Sequence, residues 1–125
     1  MVSFRKFETP SGAIVLAGKS AENNEELIKQ IGQKEIVLHT AEPGSSFINI
    51  KGKATKEDIV WSGAVCAKYS QDWRDNKKDV IVHIFRGKDI YKDKKMKTGT
   101  FGVKRYEIMK VKKEDIIKFE KSLEK

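Results

Sequence analysis

Cysteine is almost missing from this 125-residue chain. The single thiol, Cys66, has no partner for an internal disulfide, so a reducing compartment, the cytoplasm, is the expected location. No apolar run approaches membrane-spanning length. The segment after Met1, Ser3-Phe4-Arg5-Lys6, also lacks the apolar stretch of a secretion signal, so no membrane association is expected. Proline is scarce, and neither a Pro/Gly/Ser-rich linker nor an internal repeat divides the chain, so one domain over residues 1–125 is expected. His39, His83 and Cys66 have no metal-ligand spacing, and Cys66 among small residues reads as an inert packing thiol. The acidic residues are dispersed through predicted helices and turns, with no acid/base or metal constellation among them. The sequence therefore predicts no catalytic residues, no metal and no cofactor.

What the chain does have is charge, and the charge is unevenly placed. Charged residues make up 35% of the sequence and the net charge is +8. From Arg86 to Lys113 eleven basic residues face only Asp89, Asp93 and Glu107, so this stretch alone carries a surplus equal to that of the whole chain. Both flanks are close to neutral. Lysines on a solvated edge strand would explain two or three of these residues but not a surplus of eight. A localised surplus is the footprint expected where a surface meets a polyanion. Gly87, Gly99 and Gly102, with Tyr91, Phe101 and Tyr106, interrupt the tract, so it reads as folded strands and turns.

The hydrophobic pattern predicts an α+β domain, a mixed sheet of short strands packed with about three helices. Strands are predicted over 13–17, 35–40, 47–50, 79–85, 88–92, 99–103 and 105–111. Thr9-Pro10-Ser11-Gly12 and Glu42-Pro43-Gly44-Ser45 are turns. Ser20 is placed to cap a helix over about 21–31 that stops at Gly32. Thr55 with Asp58 three residues on opens a second helix. Its inner face is Ile59, Gly63, Cys66/Ala67, Ser70 and Trp73, and its small residues allow close packing on a sheet. A closing helix over 114–123 aligns Ile116, Phe119 and Leu123.

Three segments carry candidate chemistry. Gly18-Lys19-Ser20 superficially matches a P-loop, but the first glycine of that motif would fall at Ala13, which excludes it. The segment is either an ordinary capped helix start or an anion site in which the helix N-terminus and Lys19 meet a phosphate. His39, ending a strand before Pro43-Gly44-Ser45, is either a structural histidine or a contact to phosphate, ribose or base. In Phe85-Arg86-Gly87-Lys88-Asp89-Ile90-Tyr91-Lys92, a strand would point Lys88 and Lys92 to one face.

Taken in order, these blocks resemble the NFACT RNA-binding domain (NFACT-R), the C-terminal module of ribosome quality-control factors such as the nuclear export mediator factor and the bacterial fibronectin-binding A proteins. Gly18, Ala21, Asn24 and Glu25 match the family's Gly-Arg-x-Ala-x-x-Asn-Glu opening, with Lys19 for the usual Arg. His39 and Pro43-Gly44-Ser45 match its histidine strand and turn, and Ala64, Ala67, Tyr69 and Ser70 its small-residue helix ending in Tyr-Ser. Lys88, Lys92 and Gly99 match its late lysine strand and glycine turn. Ser46 stands where many members carry a second His, and Gly87 replaces an apolar residue. The resemblance spans roughly Phe7 to Val111 and implies a stand-alone, non-catalytic RNA-binding module.

The implied partner is tRNA or rRNA, with the ribosome as a candidate assembly. The expected contacts are phosphates from Arg86, Lys88, Lys92, Lys104 and Arg105, and backbone geometry read by Lys19, Asn24, His39 and Ser45. Phosphate attraction alone fits DNA equally well. A nucleic-acid-processing enzyme and a protein adaptor using the helix near Trp73 are the readings from other classes. Trp73 and Tyr69 are assigned mainly to structure.

Overall fold

The computed structural model describes residues 3–124. Its centre is a six-stranded sheet of β1 (Arg5–Glu8), β2 (Ile14–Ala17), β3 (Ile36–Thr40), β4 (Ile48–Ile50), β5 (Val80–Arg86) and β8 (Glu107–Val111), in the order β1-β2-β4-β3-β5-β8. All five pairings are antiparallel, so within the expected α+β class the sheet is not mixed. A separate ribbon pairs β6 (Ile90–Tyr91) with β7 (Gly102–Val103). The helices are α1 (Ala21–Lys29), α2 (Lys56–Lys68), α3 (Gln71–Asn76) and α4 (Lys113–Ser122).

Period-two alternation sends neighbouring residues of each strand to opposite faces. One face presents Val15, Ala17, Ile36, Leu38, Ile48, Ile50, Val80, Val82 and Val111 to α2, α3 and α4. This is the main core, and Ala64, Val65, Cys66, Ala67, Trp73, Ile116 and Phe119 complete it. Gly63 allows the close approach of α2 to β8, since a Cβ there would run into Met109 and Val111. The α2 start is fixed by a capping box: Thr55 Oγ1 accepts from Asp58 N–H at 3.1 Å, and Asp58 Oδ2 accepts from Thr55 N–H at 3.0 Å. Asp58 also accepts from Ser11 Oγ at 2.6 Å and Thr9 Oγ1 at 2.8 Å, which ties the β1–β2 turn to the helix.

The opposite face is smaller and more aromatic. There Val37, Phe47 and Phe85 pack with Leu27 of α1, joined by Ile28, Ile31, Ile90, Phe101 and Val103. Helix α1 and the β6–β7 ribbon thus cover part of this face.

The charged segment between Phe4 and Phe7, given no element from sequence, lies in the strand β1. Three further expectations are corrected. The helix expected to run through Trp73 breaks after Lys68, where Ser70 caps α3 and forms a bridge with Ser45. The strand expected over 88–92 is a 3-10 turn (Gly87–Asp89) followed by two residues of strand, because Gly87 sits directly against the Gly32 carbonyl. Leu123 is 44% exposed and does not join Ile116 and Phe119 inside.

Candidate nucleic-acid interface

The start of α1 is built from side chains that fix one carbonyl and one helix end. The Gly18 carbonyl accepts from Ser46 Oγ at 2.7 Å and from Arg5 Nη1 at 3.4 Å. Ser20 Oγ caps α1 by accepting from Asn23 N–H at 3.1 Å. Lys19 donates its backbone N–H to Asn23 Oδ1 at 2.9 Å, and its ammonium reaches Ser3 Oγ at 3.0 Å. Asn24 is buried, and its Oδ1 accepts from Phe47 N–H at 3.4 Å, so it holds α1 against β4. A Cβ at Gly18 would overlap the Asn24 amide, which explains a glycine before the helix.

The second wall is the β3–β4 turn. Gly44 has φ +91, and a side chain there would press on Gln71, whose N–H donates to the Gly44 carbonyl at 2.8 Å. Ser45 Oγ accepts from Thr40 N–H at 3.2 Å. His39 Nδ1 lies 2.8 Å from the Thr40 carbonyl, a pure acceptor, which places the ring proton on Nδ1 and leaves Nε2 as an acceptor. Burial, reinforced by His83, holds His39 below the ordinary histidine range, and burial does the same for His83. Both imidazoles are therefore neutral at pH 7. They face each other across β3 and β5.

These parts meet in one open cleft of about 660 Å³. Lys19, Asn24, His39 and Ser45, predicted separately, all border it. So do Arg5, Tyr69, Arg74 and His83, which the sequence did not mark as contacts. The Arg5 guanidinium lies 4.5 Å from the Tyr69 ring centroid, and Arg74 Nη2 donates to Gln71 Oε1 at 3.0 Å. Three cations and no carboxylate line the cleft. Among the described residues none of the three forms an ion pair with an acid. An anion entering here meets uncompensated positive charge at the open end of a helix.

The stretch from Thr98 to Val103 borders the cleft, but none of the charged side chains of the basic tract does. Arg86 pairs with Ile36, roughly 13 Å along β3 from Thr40 at the cleft end. Its Nη1 donates to the Lys34 carbonyl at 2.7 Å, and Lys88 N–H donates to Gln33 at 3.0 Å. Lys104 donates its N–H to Asp89 at 2.8 Å, and both Lys104 and Arg105 are exposed at the foot of β8. Lys92, though exposed, is engaged by groups of its own chain. Its ammonium pairs with Glu25 Oε2 at 2.8 Å, donates to the Lys97 and Thr100 carbonyls, and lies 4.6 Å from the Phe101 ring centroid. Glu25 also accepts from Gly99 N–H at 2.6 Å, and these two partners hold its carboxyl below the usual range. Gly99, at φ +81, rests on Ala21. Ala21, Glu25, Lys92 and Gly99 therefore form one lock that lays the 93–100 loop over the α1 start.

Elsewhere the fold offers little chemistry. Cys66 is fully buried, and desolvation pushes its thiol up to about 12. Among the described residues no group of three His, Cys, Asp or Glu converges to hold a metal, and no helix is long and apolar enough to cross a membrane.

An antiparallel sheet with helices on both faces, opening at one end into a cationic cleft, defines an α+β domain with a site suited to an anion. The NFACT protein RNA binding domain model matches residues 3–105, and this chain belongs to that family. It resembles the C-terminal part of the fibronectin/fibrinogen-binding protein from Streptococcus suis with a TM-score of 0.82 at 21% identity, over 94% of this chain and 48% of that one. The chain thus spans about half of that solved chain, and the likeness concerns the fold. No curated protein matches. RNA is the ligand class that goes with the family.

Proposed function

We propose that this chain is a non-catalytic module that grips the sugar–phosphate backbone of a folded RNA, a tRNA or an rRNA segment, in a ribosome-associated role. The observation that carries the reading is the cleft itself: Arg5, Lys19 and Arg74 converge there with no carboxylate. In this reading the three cations and the α1 start take phosphates. Neutral His39, whose Nε2 is the acceptor nitrogen, takes a hydrogen bond from a ribose 2′-hydroxyl, a donor that DNA lacks. Arg86, Lys88, Lys104 and Arg105 add a field that draws RNA in without sequence preference.

The test is binding of one stem-loop sequence made as RNA and as DNA, across a salt series. With about five phosphates neutralised, affinity falls roughly a thousandfold between 50 and 200 mM salt. RNA binds more tightly than its DNA copy, and His39→Ala erodes that margin while leaving the salt slope in place. Equal affinity for both polymers favours the DNA-binding reading. Cosedimentation of the intact chain with ribosomes, lost in an Arg5→Ala/Arg74→Ala variant, tests the ribosome-associated part.

A further inference from the structure

The sheet face that α1 covers at one end is bare at the other. Register places His39, His83 and Ile108 in one row across β3, β5 and β8, and Phe47, just before β4, packs at its inner end. The row begins as cleft floor, where His39 packs 4.5 Å from Phe47, ring centre to ring centre. It ends in solvent on the edge strand β8, where Ile108 is 68% exposed. Tyr106, two residues earlier on the same face, stacks on His83 with centroids 4.0 Å apart and planes 20° from parallel, yet is 50% exposed. One ring face is fixed by the imidazole and the other is open. The near neighbours of Tyr106 along the chain are Lys104, Arg105, Glu107 and Lys110, all exposed, three cations to one acid.

We propose that Tyr106, backed by His83 and flanked by Ile108, is a stacking platform for one unpaired RNA base. The strand leading to that base would hold its phosphate in the adjoining cleft. The proposal rests on the RNA-binding reading and adds to it a second kind of contact. Every base has a π-face, so such a platform selects unpaired over paired nucleotides rather than one base over another. A ring already held parallel by a neighbour presents its free face without ordering cost. The surrounding cations suit a polyanion, and Tyr106 and Ile108 project from the sheet face rather than along its hydrogen-bonding edge, so strand addition by a protein would not use them. Tyr106 and Ile108 lie just beyond the residues the family model matches.

Two RNA hairpins test this, one blunt-ended and one identical except for a three-nucleotide unpaired 3′ extension. The intact wild-type chain is expected to prefer the extended hairpin by about tenfold, the worth of one stacked base. Tyr106→Ala should abolish that preference while leaving blunt-hairpin affinity and the salt slope unchanged, and Tyr106→Phe should keep it. Melting of each variant shows that it is folded. If the wild type binds both hairpins equally, or Tyr106→Ala keeps the preference, the platform is overturned and the RNA-binding reading stands. If loss of self-association accompanies a kept preference, the strip belongs to a protein contact. If the wild type binds neither hairpin, both readings fall.

Discussion

The two faces of the central sheet use the same strands for opposite ends. On β5, Val80 and Val82 point into a dry core closed by three helices, while His83 between them and Ile84 points to the partly open face. On β3, Leu38 and His39 divide in the same way. On the closed face the strand residues are aliphatic, the helices bring Trp73 and Phe119 onto them, and there is no histidine. The open face is aromatic and imidazole-bearing, bordered by cations. A strand's alternation thus separates holding the fold together from meeting a ligand, so substitutions one residue apart should fail in different assays.

The largest effect is expected on the closed face. Trp73 fills the space beneath α3, and its Nε1 donates to Glu120 Oε2 at 3.1 Å. Trp73→Ala should cost about 3–5 kcal/mol of stability in thermal or urea unfolding. RNA affinity, measured on the fraction still folded, should barely change.

At the cleft, where Arg5, Tyr69 and Arg74 reach the end of the sheet, the order reverses. Arg5→Ala and Arg74→Ala should each weaken RNA binding about tenfold, with Tm nearly unchanged, and each should lower the salt slope by about one unit. Filter binding across a salt series and a melting curve on the same samples measure both. Tyr69 sharpens the test. Assigned to structure from sequence, it also borders the cleft beneath Arg5, so Tyr69→Ala should lose both stability and affinity.

Protonation gives a smaller, signed effect. His39 and His83 have folded values below their unfolded ones, so their contribution to stability is full above about pH 6.5 and is lost as pH falls through it. Protonation also puts a proton on Nε2 of His39 and removes the acceptor for the 2′-hydroxyl. Lowering pH from 7.5 to 5.5 should therefore reduce Tm and narrow the margin of RNA over its DNA copy. A His39→Asn/His83→Asn variant should flatten both trends. At lower pH the closed face fails next. Asp58 is held down to about 2, chiefly by the Ser11 hydroxyl and the Thr55 N–H. Its contribution is present above about pH 4 and is lost as pH falls towards 2.

The smallest expected effect concerns Lys92. With its charge matched by Glu25, Lys92→Ala should change the salt slope by less than Lys88→Ala does. It should instead speed amide exchange at Gly99, whose N–H shares the Glu25 carboxylate.

Much of this was legible in the sequence where local chemistry decides structure. Ser20, Thr55 and the Gly44 turn sit where their side chains or φ angles require, and the strands with continuous apolar runs are found. β1 was not, because an edge strand carrying Arg5, Lys6 and Glu8 has too few apolar residues to reveal its period. The break at Ser70 was hidden because the apolar pattern through Trp73 stays helical, while the Ser70 side chain caps a new helix there and its backbone bridges to Ser45. Charge density and the cleft point to different parts of the chain. The surplus between Arg86 and Lys113 marks a basic surface, but the cleft takes its cations from Arg5, Lys19 and Arg74, in the near-neutral part of the chain. Their convergence depends on strand order and helix docking, which no window along the sequence reports.

Amide chemical-shift mapping of the intact chain titrated with a structured RNA tests the division between faces most directly. Shifts are predicted at Lys19 and Ser20, from His39 to Phe47, near Tyr69 and Arg74, and from Tyr106 to Lys110, with Val60, Trp61 and Lys118 on the α2–α4 side unmoved. Shifts centred on that α2–α4 surface, with the cleft silent, would contradict the account.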